Sequence, residues 1–317
     1  MKYAWACAVT AALLLILGAP QTARADATPG IDRAKALFDK GDYKGAIVIL
    51  NGVLAKDPKN AKALVVRGDA QDNLGNPQAA LLDYNAAIAV NPDYEYAYAT
   101  RCTTENEMDR YRDAVDDCTK ALTLVTDDDY ALRGRSFAYF MLDDYELASA
   151  DAEKALAIDG TNPYNMLARC RSNVWLNRLK IALPACNAYI ADKPQDASGY
   201  FYRGRGEMVG GNTAASRADF QKTLQLDDMY TSADYWLTFL ELQEKQYADS
   251  IAAANVFLKK YADTPDVLLA RATAELAIGK KDAAKDDATQ ALHYAQIQND
   301  SDQMKAARQL LDAIGKP

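Results

Sequence analysis

The sequence predicts an all-α fold, a solenoid of eight helical hairpins with a capping helix at the C-terminal end. Two observations support this class. The chain matches itself at a shift of 34 residues between residues 27 and 298, and chain-breaking residues fall twice within each period. A fixed period of this length is typical of repeat proteins, in which each period forms one supersecondary unit. The units start at 27, 61, 95, 129, 163, 197, 231 and 265.

Small residues at fixed positions indicate how each unit folds. Position 8 is small in all eight units, and position 20 is alanine or serine: Ala46, Ala80, Ala114, Ala148, Ala182, Ser216, Ser250 and Ala284. Breakers such as Gly75 near the middle of a unit and Pro92 near its end leave room for two helices of about 12 residues. Small residues let two helix backbones approach closely. Each unit is therefore expected to be a tight antiparallel hairpin.

The two ends of the predicted array depart from the regular pattern. In the unit 231–264, Asp234 stands where a large apolar residue is usual, so the register there could slip by one residue. After the last unit, residues 300–317 predict a capping helix. Its apolar residues recur at helical spacing behind Asp300 and Ser301 as candidate caps. Those apolar residues are Met304, Ala307, Leu311 and Ile314.

This pattern resembles the tetratricopeptide repeat family over nearly all of residues 26–299. The unit 61–94 shows the resemblance best, with family-type residues at Leu64, Gly68, Ala80, Tyr84, Ala87 and Pro92. The resemblance implies a right-handed superhelix whose first helices line a concave surface. Related proteins hold extended peptides on that surface.

The N-terminal segment predicts export. Residues 1–25 have a basic start, an apolar core and small residues before a cut, as in a secretory signal peptide, so the mature chain would begin at Asp26. We expect a periplasmic or secreted protein with no membrane span in the mature chain. The net charge of −8 becomes more negative without this segment, because it holds Lys2 and Arg24 and no acid. Nucleic acid is therefore excluded as a partner.

Four cysteines of the mature chain predict two disulfides. Cys102 and Cys118 occupy positions 8 and 24 of one unit, and Cys170 and Cys186 occupy the same positions two units later. In an antiparallel hairpin that turns near position 16, positions 8 and 24 face each other. A four-cysteine metal site is excluded because the pairs lie two units apart. Buried free thiols at contact positions remain the alternative.

Position 7 is arginine in every unit except the seventh, which has Leu237. Wherever position 23 is aspartate, position 7 of the same unit is arginine, which predicts an ion pair between the two helices. The predicted pairs are Arg67–Asp83, Arg101–Asp117, Arg135–Asp151, Arg203–Asp219 and Arg271–Asp287. Arg33 and Arg169 face Ile49 and Ala185 instead. A ligand-binding row of arginines is the alternative interpretation.

The face of the first helix opposite its packed side predicts the binding site. From the third unit onward, positions 2, 5, 9 and 12 and their neighbours carry aromatic side chains and arginines, although a solvated face would be polar. Packing between neighbouring first helices is the alternative for any single ring. The predicted partner-binding residues are Tyr130, Arg133, Phe137, Phe140, Tyr164, Arg171, Trp175, Phe201, Arg205, Tyr235 and Phe239. Units two and three instead place Asp69, Asp72, Asn106 and Glu107 on this face.

The sequence favours an interaction scaffold over an enzyme. No catalytic grouping is evident, because the single histidine, His293, has no cysteine or serine partner that the repeat would bring near it. We expect no cofactor and no metal. The predicted function is an exported scaffold that holds an extended peptide or partner segment in the concave groove, and the expected partner is a protein of the cell envelope. The alternative is an envelope receptor for a small ligand such as a sugar or peptidoglycan fragment.

Overall fold

The computed structural model describes residues 29–315, and these residues form seventeen α-helices and no strand. They cluster into two compact units that divide inside one helix, residues 29–181 and residues 182–315. The all-α prediction is therefore confirmed for the part of the chain that the structure describes. The predicted secretory segment, residues 1–25, lies outside the described residues.

The first unit contains four complete hairpins, which we number one to four, and the first helix of a fifth. The two helices of each hairpin pack on each other, and consecutive hairpins pack in sequence order. The helices are α1 (Pro29–Phe38), α2 (Tyr43–Lys56), α3 (Ala61–Asn73), α4 (Pro77–Val90), α5 (Glu95–Glu107), α6 (Tyr111–Leu124), α7 (Asp129–Met141), α8 (Tyr145–Ile158) and α9 (Pro163–Trp175). Helix α10 (Leu179–Asp192) crosses the division between the units.

The second unit continues with hairpins six to eight and a last helix. Its helices after α10 are α11 (Ala197–Val209), α12 (Thr213–Leu226), α13 (Thr231–Gln243), α14 (Tyr247–Leu258), α15 (Pro265–Ala277), α16 (Lys281–Ile297) and α17 (Ser301–Ile314). Helix α17 packs against α15 and α16 and buries Ala307 and Ile314. The Asp300 side chain accepts hydrogen bonds from the backbone N–H groups of Asp302 and Gln303, in the first turn of α17. The predicted capping helix is confirmed.

Every hairpin turn uses one residue in the left-handed backbone region. Position 15 of each unit has a φ between 55° and 81°. Glycine occupies this position in four units, because it adopts positive φ without steric cost. The other residues are Asp109, Asp143, Asn177 and Lys245. Lys245 shows that hairpin seven turns at the same position as the others, so its register does not slip.

Positions 8 and 24 face each other across the hairpin, as antiparallel geometry predicts. A Cβ atom added to Gly68 would lie 2.5 Å from the Tyr84 ring, and one added to Gly204 would lie 3.1 Å from the Phe220 ring. Glycine is therefore needed where an aromatic ring stands opposite. All eight residues at position 20 are fully buried, which allows the two helices to approach closely.

The five predicted ion pairs between the helices of a unit are confirmed. In each pair, the arginine Nε and Nη2 donate to the two oxygens of the aspartate. The arginine Nη1 also donates to position 25 of the preceding unit, a contact that the sequence analysis missed. The acceptors are Asn51, Asn85, Thr119, Asn187 and Asn255. Each arginine therefore links its own two helices to the previous hairpin.

The predicted disulfide of hairpin three is confirmed. Cys102 and Cys118 join α5 to α6, with Cα atoms 5.5 Å apart and both residues fully buried. Cys170 and Cys186 are disulfide-bonded and fully buried as well. A Cβ atom on Gly134 would lie 2.9 Å from the Cys118 sulfur, so hairpin four packs directly on the first disulfide.

Candidate partner-binding surface

Arg171 lies on α9 with only 6% of its surface exposed. Its guanidinium carbon is 4.7 Å from the ring centroid of Phe137 and 5.0 Å from that of Phe140, and both rings belong to α7. A cation near an aromatic face is attracted by the ring quadrupole. The two phenylalanines therefore hold the guanidinium between the first helices of hairpins four and five.

The charge of Arg171 is not neutralised by any residue that the structure describes. Its Nε is buried without a hydrogen-bond partner, and its Nη atoms donate no hydrogen bond within residues 29–315. Neighbouring positions on α9 offer no acid, since Leu167, Ala168, Val174 and Trp175 precede and follow it by one turn. A buried cation without a partner costs free energy. An anion that bound to Arg171 would therefore offset this cost.

Three rings extend the surface beside Arg171. Phe140 and Trp175 meet edge to face, with ring centroids 5.1 Å apart. Tyr145, at the start of α8, lies 5.4 Å from Phe140 and 6.4 Å from Trp175. All three are half-buried, so each keeps some exposed surface. We call Phe137, Phe140, Tyr145, Arg171 and Trp175 the Arg171 cluster.

Tyr145 was missed by the sequence analysis. It occupies position 17 of its unit, on the second helix, whereas the analysis considered only the first-helix face. A signal was present in the sequence, because Tyr43, Tyr111 and Tyr247 occupy the same position in other units.

Arg133 differs from Arg171 because it is already paired inside the protein. Its Nη1 donates to Asn165 at 2.9 Å and approaches Asp129 at 3.4 Å. Its guanidinium carbon also lies 5.4 Å from the Tyr130 ring and 5.8 Å from the Tyr164 ring. These contacts place Tyr130, Arg133 and Tyr164 in one internal network between α7 and α9. The network orients these side chains and leaves Arg133 with less capacity for a ligand.

The predicted residues of the second unit divide into buried and half-buried groups. Phe201 is only 3% exposed and packs against Phe220 and Tyr230, so it belongs mainly to the core. Arg205 is half-buried, with its guanidinium carbon 4.2 Å from the Trp236 ring centroid.

Tyr235 and Phe239 are also half-buried and lie 4.9 Å apart. The Tyr235 hydroxyl donates to Asp266 at 2.6 Å. The tyrosine is thereby tied to the first helix of hairpin eight.

The acidic residues of hairpins two and three also make internal contacts. Asp69 accepts hydrogen bonds from Tyr84 at 2.9 Å and from Tyr96 at 3.4 Å. Burial, with a smaller contribution from the charge of Asp72, raises the pKa of Asp69 to about 7. Asp72 accepts a hydrogen bond from Thr104 at 2.8 Å. This part of the first-helix face is consequently less negative at neutral pH than its composition indicates.

Among the described residues, no group of three or more histidine, cysteine or acidic side chains is arranged to hold a metal ion. None of the helices within residues 29–315 combines the length and apolar character needed to cross a bilayer. The side chain of His293 is exposed, and its ring lies 5.5 Å from that of Tyr294.

Comparison with known proteins supports the repeat at two levels. Residues 31–95 match the family model described as tetratricopeptide repeat. No curated protein sequence gives a significant match. Together with the hairpin architecture, the family match supports the resemblance stated from the sequence, and residues 31–95 carry tetratricopeptide-type repeats.

Solved structures with the same fold share little sequence with this chain. A tetratricopeptide repeat protein from Parabacteroides merdae is 19% identical, with a TM-score of 0.51, and the match covers 90% of this chain and 98% of that one. The Cut9–Hcn1 structure of the APC/C is 16% identical, with a TM-score of 0.70, and the match covers 90% of this chain and 55% of that one. PilW, a type IV pilus biogenesis factor, is 19% identical, with a TM-score of 0.55, and the match covers 63% of this chain and 93% of that one. These matches show that the chain shares a helical-repeat fold with these proteins.

Proposed function

We propose that this chain is an exported scaffold that holds an extended segment of a partner protein on its first-helix face, anchored at the Arg171 cluster. The observation that carries the proposal is the state of Arg171, which is 94% buried from solvent yet has no counterion among residues 29–315. A partner that supplies an anion would offset the cost of that buried charge.

The composition of the Arg171 cluster also supports binding at this place. Tryptophan, tyrosine and arginine carry much of the binding energy at protein interfaces, because they bury a large area or make several directed hydrogen bonds. Trp175, Tyr145 and Arg171 belong to these types. The contacts between their rings and Phe140 hold them in place before a partner arrives, which lowers the entropic cost of binding.

Export is supported by the cysteine chemistry and by the N-terminal sequence. Four buried half-cystines fit a compartment in which disulfides persist, and they are unusual in a reducing cytoplasm. Residues 1–25 have the charge, apolar core and cleavage-type residues of a secretory signal.

Site-specific photo-crosslinking tests the proposed binding face. Benzoylphenylalanine in place of Tyr145 should capture a partner from a cell-envelope extract. The same probe in place of Val48, which is 70% exposed on α2, should not capture it. Combining the Tyr145 probe with Arg171→Met should abolish the crosslink. Equal capture from both positions, or capture that survives Arg171→Met, would contradict the proposal.

A further inference from the structure

We infer that the partner segment carries an acidic residue and, two positions away in an extended chain, a large apolar residue. The carboxylate pairs with Arg171 and the apolar side chain packs on Trp175. This inference rests on the proposed function and adds the chemistry of the ligand.

The environment of Arg171 favours a carboxylate. The guanidinium lies near the Phe137 and Phe140 rings and its Nε is buried, so the two Nη atoms are the donors left for a ligand. Two parallel N–H groups match the two oxygens of a carboxylate. One uncompensated positive charge matches one negative charge. A doubly charged phosphate would also meet stronger repulsion from a protein with a net charge of −8.

A comparison with Arg133 supports a ligand-binding role for Arg171. Arg133 has Asp129 one helical turn before it and Asn165 on the facing helix. Arg171 is more deeply buried and has neither kind of partner within the described chain. The fold therefore provides a counterion for one arginine between α7 and α9 and leaves the other without one.

The spacing of the two anchors sets the spacing in the ligand. Arg171 and Trp175 are four residues apart, so they lie on the same side of α9 and about 6 Å apart along its axis. In an extended peptide, alternate side chains point to the same side and are about 7 Å apart. Adjacent side chains point to opposite sides. An acidic residue and an apolar residue two positions apart can therefore reach both anchors together.

The stability of the free protein separates a ligand-binding role from a structural one. Arg171→Met removes an uncompensated charge and keeps an unbranched side chain near the two rings, so the melting temperature should stay the same or rise. Arg133→Met is the matched control and should lower it, because Asp129 and Asn165 lose their shared partner. A lower melting temperature for Arg171→Met than for Arg133→Met would show that Arg171 is structural and would overturn the inference.

Peptide titrations followed by NMR test the ligand chemistry. The probe is a short peptide, blocked at both ends, with glutamate two residues before leucine in a serine and alanine background. It should shift the Arg171 Nε–H and Trp175 indole N–H resonances. Replacing its glutamate by glutamine should weaken binding about tenfold or more, as expected for a charged hydrogen bond. With Arg171→Met protein, the two peptides should bind equally weakly.

Four results would overturn the inference. They are equal binding of the glutamine peptide, equal binding of a peptide with glutamate and leucine adjacent, tighter binding of a peptide whose only carboxylate is its free C-terminus, and equal shifts with inorganic phosphate. In each case, capture of a protein partner from position 145 but not from position 48 would leave the proposed function standing. Loss of that positional difference would instead contradict the proposed function.

Discussion

Hairpin three and hairpin seven use the same 34-residue module but hold their two helices together differently. In hairpin three, the Cys102–Cys118 disulfide and the Arg101–Asp117 ion pair both join α5 to α6. In hairpin seven, Thr238 stands at the position of Cys102, and Leu237 stands at the position of Arg101. Hairpin seven also buries Asp234, which is 4% exposed and has one carboxylate oxygen without a hydrogen-bond partner.

The comparison separates what defines the module from what strengthens it. Both hairpins keep a fully buried small residue at position 20, Ala114 or Ser250, and a left-handed residue at position 15, Asp109 or Lys245. Those features are enough for the hairpin to form. The cross-helix bonds are additions, so we expect hairpin seven to open at a lower free energy than hairpin three.

The largest expected effect is the loss of the disulfide in hairpin three. Cys118→Ser should lower the free energy of unfolding by about 3 kcal/mol, because the bond closes a loop with a sequence separation of 16. Urea unfolding measures this loss. The denatured variant should contain one titratable thiol, that of Cys102. Wild-type mature protein, prepared without reductant, should contain none, and four free thiols there would rule out both disulfides.

Breaking the ion pair in the same hairpin should have the next largest effect. Asp117→Ala removes the bidentate partner of Arg101, whose side chain is 20% exposed. We expect the free energy of unfolding to fall by about 2 kcal/mol. Asp93→Ala removes an exposed aspartate between hairpins and is the control. Chemical denaturation of both variants gives the difference. Equal stabilities would mean that the arginine–aspartate pairs are solvated and contribute little.

In hairpin seven, replacing the buried Asp234 by leucine should stabilise the fold. Burial raises the pKa of Asp234 to about 6, so the folded state binds its proton more tightly than the unfolded state. The contribution of Asp234 to the stability of the wild type therefore falls as pH rises from about 4 to about 6. Asp234→Leu removes this loss and should gain about 2 kcal/mol above pH 6, with a smaller gain below pH 4. Unfolding followed by tryptophan fluorescence at the two pH values measures both gains, and a gain independent of pH would contradict the assignment.

The smallest expected effect concerns the turn of hairpin seven. Lys245 has a φ of 60°, a conformation that costs a residue with a Cβ atom about 1 kcal/mol. Lys245→Gly should recover a gain of that order, visible as a higher melting temperature. Gly75→Ala in hairpin two is the converse control and should lose a similar amount, because its φ is 75° and no atom lies near enough to clash.

The sequence predicted the hairpins well because their determinants are local and repeated eight times. Positions 8, 20 and 24 and the arginine–aspartate pairs could be aligned within the chain itself. The contacts to Asn51, Asn85, Asn187 and Asn255 were missed although these asparagines also recur at the repeat spacing, because only pairs inside one unit were compared.

The candidate site was harder to predict because it depends on packing between neighbouring units. Helical spacing placed both Phe201 and Arg171 on the face of the first helix opposite its packed side. It could not show that Phe201 lies in the core or that Arg171 lacks a counterion among the described residues. Those properties depend on the side chains that the adjacent helices bring near. Such side chains differ from unit to unit, whereas the repeat pattern shows only what the units share.

Binding of the captured partner to two double variants tests the central claim most directly. Arg171→Ala with Trp175→Ala removes both anchors of the Arg171 cluster and should weaken binding by about 2 kcal/mol or more. Circular dichroism should show that the fold survives. Asp93→Ala with Asp127→Ala, two exposed residues between hairpins, is the control and should bind as the wild type does. Equal affinity of the two double variants would contradict the account and place the partner on another surface.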